Sequence, residues 1–330
     1  MKKSYKLAKS LFPKNLISKH WDIYPSNFHE LLLNKDKIEN FRRNELSFKF
    51  NDSLEKAILS RTRRVLSQLS EITGKVFIEK NKEILVGNPK TLTIDNKPYD
   101  YHDLFIIYFF FVLFPFLSEK KKKKKIFVCD IGGGYGALAH RIKKNFPNAI
   151  CLLFDLPEQN YISNYYLKTL NPAAKVLDLE NLMRLKNVKS LDSLKIKKID
   201  IINYDYIILP GYLIKQLPSN FVDVFVNTRS FMEMNIETVN FYFSQIHRVI
   251  NESGVLYCVN RYKKKTSGDI IKFKKFPLDE NWSFEISRPS FSQPLIHEAL
   301  LRRTSFTNYK LRKELMRLKP YDFEFFRNLI

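Results

Sequence analysis

From residue 126 onward, short apolar runs alternate with amphipathic segments. IFVCDI (126–131), AICLLFDLP (149–157), DYIILP (205–210), VDVFVNTRSF (222–231) and GVLYCVNRY (254–262) read as strands, and HEALLRRTSF (297–306) alternates like a late strand. Between them, ALAHRIKKNF (137–146), SNYYLKTL (163–170) and IETVNFYFSQIHRVI (236–250) carry apolar residues at helical spacing. Strands alternating with helices predict an α/β fold with a doubly wound, mostly parallel sheet. No internal repeat interrupts the pattern.

Upstream the pattern is different. Residues 1–50 are basic and aromatic with weak periodicity, which predicts short helices packed on something else. In DSLEKAILSRTRRVLSQLSEITG (52–74), Leu54, Ile58, Val65, Leu69 and Ile72 fall near helical spacing. Asp52 and Glu55 are spaced as a capping box, and Gly74 is placed to end the helix. Residues 76–100 read as short strands and turns, with Asn88-Pro89 and Asn96 as turn signals. The apolar run LFIIYFFFVLFPFL (104–117) contains Pro115. A membrane span needs roughly 20 apolar residues. This run is shorter, so a buried core helix is expected, with shallow insertion in a membrane surface as the alternative.

The segment DIGGGYG (130–136) lies between a strand and a helix. Glycines let a ligand approach the backbone closely, and a helix N-terminus offers free N–H groups. Gly132, Gly134 and Ala137 satisfy G-x-G-x-x-A, a dinucleotide fingerprint that would imply NAD(P). Asp130 argues against it, because a carboxylate repels an anionic pyrophosphate and attracts a cationic ligand. Read from Asp130, the segment spells D-x-G-x-G-x-G, which resembles the first motif of class I S-adenosylmethionine (SAM) methyltransferases. SAM carries a sulfonium and an ammonium. Asp155 ends the second strand and suits a bidentate grip on both ribose hydroxyls. Asp130, Gly132, Gly133, Gly134, Tyr135, Gly136, Asp155 and Leu156 are the expected cofactor-binding residues.

Four segments in order, VGNP, DIGGGYGALAHRI, FDLPEQNYISNYYLKTLNP and DVFVNTRSFMEM, resemble the sugar O-methyltransferase family of bacterial polysaccharide gene clusters. The resemblance spans roughly residues 54–305. That family often carries Glu where Asp130 stands, which keeps the charge. The resemblance implies a Rossmann-like class I methyltransferase with a seven-stranded sheet and a helical N-terminal extension. Residues 1–118 would form the extension or cap, and residues 119–330 the SAM-binding catalytic domain. The implied reaction is methyl transfer to a sugar hydroxyl of a surface polysaccharide, lipopolysaccharide or precursor.

Ligands of a doubly wound sheet sit at the carboxyl ends of its strands. Glu233 follows the fourth strand there and is the first candidate for the base that removes the hydroxyl proton. A helix-entry acid explains the same residue. Asn227, Arg229, Ser230 and Asn260 are placed to bind the acceptor, Arg229 through an acidic sugar or phosphate. His102 and His297 are placed to line the pocket, whereas His140 and His247 lie inside predicted helices flanked by basic residues and read as surface or core; His20 and His29 complete the six histidines. No H-x-x-x-H or H-E-x-x-H pattern occurs, so no metal is expected. Tyr161, Tyr165 and Tyr166 read as core.

Charge widens the partner list. The formal net charge is +22. Nucleic acid, an anionic membrane surface or an acidic or lipid-linked glycan all fit such a chain. So does a surface that gathered lysines without a partner. An RNA methyltransferase would use the same core, but no N/D-P-P-Y/F segment follows the fourth strand. An NAD(P)-dependent oxidoreductase and a catalytically silent scaffold complete the alternatives. Cys129, Cys151 and Cys258 sit in apolar strands and read as reduced, buried thiols. The basic N-terminus lacks an apolar signal core. Both suit the cytoplasm, including the inner face of the membrane, and a homo-oligomer is compatible. The run Lys120–Lys125 reads as a solvated linker.

Overall fold

A computed structural model describes residues 1–13, 32–43, 52–188, 190–191, 193–266 and 269–319. His20, His29 and the side chains of Asp52, Leu54, Glu55 and Ile58 lie outside the described residues, as do the short helices expected within 14–31 and 44–50.

The first part of the chain contains α1 (Lys2–Leu11), α2 (Lys35–Glu39), α3 (Asp52–Thr73), α4 (Lys75–Asn81), the hairpin β1 (Leu92–Ile94) and β2 (Lys97–Tyr99), and α5 (Tyr101–Glu119). The rest runs β3 (Ile126–Ile131), α6 (Ala137–Asn145), β4 (Ala149–Asp155), α7 (Pro157–Leu170), β5 (Val176–Asp178), α8 (Leu179–Leu185), α9 (Lys198–Ile201), β6 (Tyr206–Pro210), β7 (Val222–Thr228), α10 (Ile236–Val249), β8 (Ile250–Arg261), β9 (Lys263–Thr266), β10 (Asp269–Lys272), β11 (Trp282–Ser290), β12 (Gln293–Arg303) and α11 (Leu311–Arg317).

The main sheet has the order β11-β12-β8-β7-β3-β4-β6-β5. Strands β5, β6, β4, β3, β7 and β8 are parallel, and β12 runs antiparallel to both β8 and β11. The sheet therefore has eight strands where seven are expected. The addition is β5, a three-residue edge strand beyond β6. Its VLD segment is too short to carry an alternation. The chain moves outward from β3 through β4 to β6, then returns to β7 on the other side of β3. That reversal places the topological switch at the carboxyl ends of β3 and β7.

Both faces of the sheet are covered. Val128, Leu153, Val226, Val259 and Leu300 face a core containing α5, α6 and α7. Cys129, Leu152, Phe225, Cys258 and Leu301 face a second core built from α8, α9, α10 and α11. Every residue of β3 is buried, as expected of a central parallel strand. By length and composition α5 could cross a membrane. Here Leu104, Phe105, Phe109, Leu113 and Leu117 are buried in the first core, so it is the core helix its length suggests.

Two expectations change. Residues 75–81 are helical rather than extended, because their apolar positions are contiguous and only Ile78 is fully covered. The Asp95-Asn96 turn is as expected, with positive φ at both residues. The lysine run is exposed at 121–124, as a solvated linker would be, but it is shaped as a turn and pinned through one side chain. Lys123 Nζ donates to Asp223 Oδ1 at 2.7 Å, while Asp223 Oδ2 accepts from Phe127 N at the start of β3.

A buried charge cluster joins the two parts. Arg42 Nη1 donates to Glu83 Oε2 at 2.9 Å, and Arg42 Nη2 to Asp100 Oδ2 at 2.6 Å. Arg141, on α6, donates to Ala137 O at 3.0 Å and to Asp103 Oδ1. Asp103 Oδ2 also accepts from Glu83 N, and Tyr166 Oη donates to Glu83 Oε2. Removing one member of a buried ion pair typically costs about 3–5 kcal/mol, whereas removing both costs far less. Arg141→Met should therefore lower unfolding stability by about 3–5 kcal/mol in urea titration. The double change Arg141→Met with Asp103→Leu should lose less than the single one. Strictly additive losses would show that the pair is not coupled.

Candidate active site

The loop from Ile131 to Ala137 is held open by backbone geometry. Gly132 has φ +71 and donates its N–H to Phe154 O at 2.8 Å, tying the loop to the end of β4. A Cβ at Gly132 would overlap Ser230 Oγ. Gly134 has φ +55, and a Cβ there would point into open space. Glycine is needed at Gly134 for conformation, and at Gly132 for room as well. Gly136, also left-handed, caps the start of α6.

Two carboxylates face this loop. Asp155 Oδ2 accepts from Gly134 N at 2.9 Å, and Oδ1 from Leu156 N at 2.7 Å. Burial pushes its pKa up to about 7, with the two N–H groups opposing and Glu233 adding repulsion. Asp130 is buried at the end of β3, and its Oδ1 has no hydrogen-bond partner among the described residues. Burial, with repulsion from Asp155, raises its pKa to about 7. A buried carboxylate oxygen without a donor is costly in isolation. An ammonium or an ordered donor would satisfy it. These residues fit SAM: Asp130 toward the amino-acid end, Asp155 toward the ribose, Leu156 at the partly buried lip beside them. Tyr135 does not join them through its ring. The ring packs against Phe41 and Tyr166, with the Arg42 guanidinium 5.3 Å from its centroid, so only its backbone belongs to the loop.

The acceptor side is built on the carboxyl end of β7. Asn227 and Asn260 do not reach into the cleft. Asn227 Nδ2 donates to Ile131 O at 2.8 Å and to Ser230 Oγ at 2.5 Å, and its Oδ1 accepts from Asn260 Nδ2 at 2.8 Å. Asn260 Oδ1 accepts from Met232 N, and Ser230 Oγ donates to Ile131 O. These three residues form a buried clasp that pins the 228–233 loop to β3 and β8. The expectation that they bind the acceptor is corrected by their fully used hydrogen-bonding capacity. His297 is corrected for the same reason. Its ring nitrogens lie 3.0 Å from Tyr262 Oη and 3.2 Å from Ser287 Oγ, and its ring packs on Phe273. Burial lowers its pKa to about 4.

Arg229, Glu233 and His102 are brought together. Burial raises the pKa of Glu233, and Lys264, at 3.8 Å, then Arg229 and Arg261 pull it back. Burial lowers the pKa of His102, opposed by Asp100 and reinforced by Arg229 and then Arg42. Arg229 Nη2 donates to Gln293 Oε1 at 2.7 Å, and its guanidinium lies 4.8 Å from the Phe105 ring centroid. At the carboxyl ends of β7 and β8, where a doubly wound sheet has its cleft, these side chains come from the N-terminal turn of α5, the loop after β7, β9 and the start of β12. Phe105, Lys264 and Gln293 carry no sequence signal that marks them as site residues. Among the described residues, no three His, Cys, Asp or Glu side chains cluster as a metal site.

The O-methyltransferase domain family matches residues 118–199, the segment that carries the glycine loop and Asp155. No curated protein matches the chain. Among solved structures, a protein of Galdieria sulphuraria provisionally assigned as a sarcosine dimethylglycine methyltransferase is 11% identical, with a TM-score of 0.43 over 69% of this chain and 96% of that one. A SAM-dependent methyltransferase of Aquifex aeolicus is 13% identical, with a TM-score of 0.36 over 57% and 88%. The mitomycin 7-O-methyltransferase MmcR is 15% identical, with a TM-score of 0.37 over 73% and 68%. The family match, the D-x-G-x-G-x-G loop and the sheet order define the chain as a SAM-dependent methyltransferase of the class I fold. Its match is to an O-methyltransferase domain, and its cofactor is SAM.

The two carboxylates make cofactor affinity pH-dependent. Each must be ionised to attract the ammonium or accept from the ribose, and each titrates near 7. Affinity for S-adenosylhomocysteine should therefore rise with pH, by about tenfold per group between pH 6 and pH 8. Calorimetric titration across that range reads the slope directly. Asp155→Ala should abolish micromolar binding, and Asp130→Asn should remove about one of the two tenfold factors, leaving the rise that Asp155 contributes. A flat profile in the unaltered protein would show that neither acid grips the cofactor.

Proposed function

We propose that this enzyme transfers the methyl group to a sugar hydroxyl of a surface polysaccharide, lipopolysaccharide or one of their precursors, with Glu233 as general base. The observation that carries the reading is Glu233 itself. It is a largely buried carboxyl with a raised pKa, in the loop after β7, close enough to add repulsion to the cofactor-side Asp155. The sugar assignment draws on the ordered DLPE, YYL and NTRSFMEM segments, and the hydroxyl on the O-methyltransferase match.

SAM supplies an electrophilic methyl on a positively charged sulfur. The protein aligns the acceptor oxygen behind that carbon, and alignment with exclusion of water accounts for much of the rate. A sugar hydroxyl is a poor nucleophile until its proton leaves. Glu233 takes that proton as the oxygen–carbon bond forms. Its raised pKa makes it a stronger base than an ordinary surface carboxylate. His102 is the weaker candidate, since burial and two arginines reduce its basicity.

Residues 1–118 act in this reading as a cap over the catalytic domain at 119–330, supported by the position of α5 over the cleft. The reaction is placed in the cytoplasm, where SAM and activated sugars meet.

Glu233→Gln should lower kcat by about 10²–10⁴-fold without weakening S-adenosylhomocysteine affinity. The unaltered enzyme should show a rate that rises with pH through a carboxyl titration above the ordinary glutamate value, and the variant should lack that limb. Release of S-adenosylhomocysteine in a sugar-acceptor screen measures both. Full activity in Glu233→Gln would remove it as the base, and cofactor binding without methylation of any sugar would overturn the acceptor class.

A further inference from the structure

Three arginines lie deep in the described structure, and two are matched by carboxylates. Arg42 meets Glu83 and Asp100, and Arg141 meets Asp103. Arg229 is different. Among the described residues its guanidinium has one hydrogen-bond partner, the neutral Gln293 Oε1 at 2.7 Å. Its Nε is buried without an acceptor. Phe105 and Phe109 present ring faces at 4.8 and 5.6 Å, which favours a cation but consumes no N–H. Of the neighbouring charges, Glu233 offsets part of it but is shared with Lys264 and is not hydrogen-bonded to Arg229, while Arg261 adds positive potential.

The backbone at Arg229 is also unusual. Its φ is +70, in the left-handed region that costs a non-glycine residue about 1–2 kcal/mol. The Asn227–Ser230–Asn260 clasp fixes that conformation on both sides, and Arg229 N donates to Val259 O at 2.7 Å. The strained backbone holds a planar, five-donor group against the Phe105 and Phe109 rings and Gln293, one residue before the Ser230 that rests on Gly132. Buried polar groups in folded proteins are ordinarily satisfied, and guanidinium matches the two-oxygen edge of a carboxylate or phosphate.

We infer that the acceptor carries an oxyanion, a sugar carboxylate or phosphate, and that Arg229 binds it, setting specificity for an acidic over a neutral sugar. This rests on reading the cleft as the acceptor site. Arg229 is a positioning group here: it orients the acceptor and takes no proton.

The test uses full-length protein loaded with S-adenosylhomocysteine and titrated with glucuronate, glucose 1-phosphate and glucose. The unaltered protein should bind one or both acidic sugars at least about tenfold more tightly than glucose, at one site per chain. The tighter of the two identifies carboxylate or phosphate. Arg229→Gln should erase the preference while keeping S-adenosylhomocysteine affinity and melting temperature, and Arg229→Lys should keep part of it. No preference in the unaltered protein overturns the inference. So does a preference that survives Arg229→Gln, which would assign the anions to other basic groups of this +22 chain. Methyl transfer, measured separately, keeps the two readings apart. Arg229-dependent binding with no sugar methylated would sink the sugar reading alone. Glucose methylated as fast as the acidic sugars would sink this inference alone.

Discussion

The ion cluster at the seam between the first helices and the sheet orders everything that faces the cofactor. Arg42 and Arg141 bind three carboxylates from segments far apart in sequence. Asp103 and Asp100 sit at the start of α5, so the cluster fixes where that helix begins. Asp100 Oδ1 accepts from His102 N, which caps the helix and fixes the backbone at His102, near Arg229. Arg141 is on α6, the helix that the glycine loop enters, and Arg42 lies over Tyr135 within the loop. One network therefore positions the cofactor loop and the acceptor roof together. Burying such groups is expensive, and each is retained only because its partners are in place.

The same accounting separates structural from functional polarity. Asn227, Ser230 and Asn260 stand at strand ends where ligands gather, yet every strong hydrogen-bonding group on them that the structure describes is engaged inside the protein. Their chemistry goes into holding one loop. Asp130 Oδ1 and Arg229 Nε, by contrast, are buried atoms with no hydrogen-bond partner among the described residues, one on an acid and one on a base. They flank the same loop contact, because Ser230 rests against Gly132. A cationic cofactor on one side and an anionic acceptor on the other is the ligand pair that this charge pattern suits.

Much of the sheet was legible in the sequence, because period and composition are local. The apolar runs IFVCDI, AICLLFD and DYIILP became β3, β4 and β6, and the glycine loop with Asp130 and Asp155 stood where the strand–turn–helix pattern placed it. What escaped was mostly too short or not local. The three residues of β5 carry no alternation, whereas WSFEIS, which does alternate between the turn residues of 277–281 and 289–292, became β11 although it is not among the predicted strands. The partners of Arg42, 41 to 61 residues away, have no sequence signature. Type and position identified Asn227 and Asn260 as site residues. Only their hydrogen bonds reveal that they are braces.

Lysine content is a poorer guide than lysine placement. The Lys120–Lys125 run contributes to the +22 charge, but it enters the fold through Lys123 and Asp223 at the amino end of β3. Asp223 has 2% of its surface exposed and also accepts from Phe127 N. The pairing therefore anchors the first central strand at the end opposite the cofactor. A buried carboxylate needs a counterion wherever it lies, and a run of lysines ensures that one is within reach. The run strengthens the scaffold that carries the site without entering it. The cation we propose for the acceptor is a single arginine, distinguished by its strained backbone and by a neutral amide, rather than a carboxylate, as its hydrogen-bond partner among the described residues.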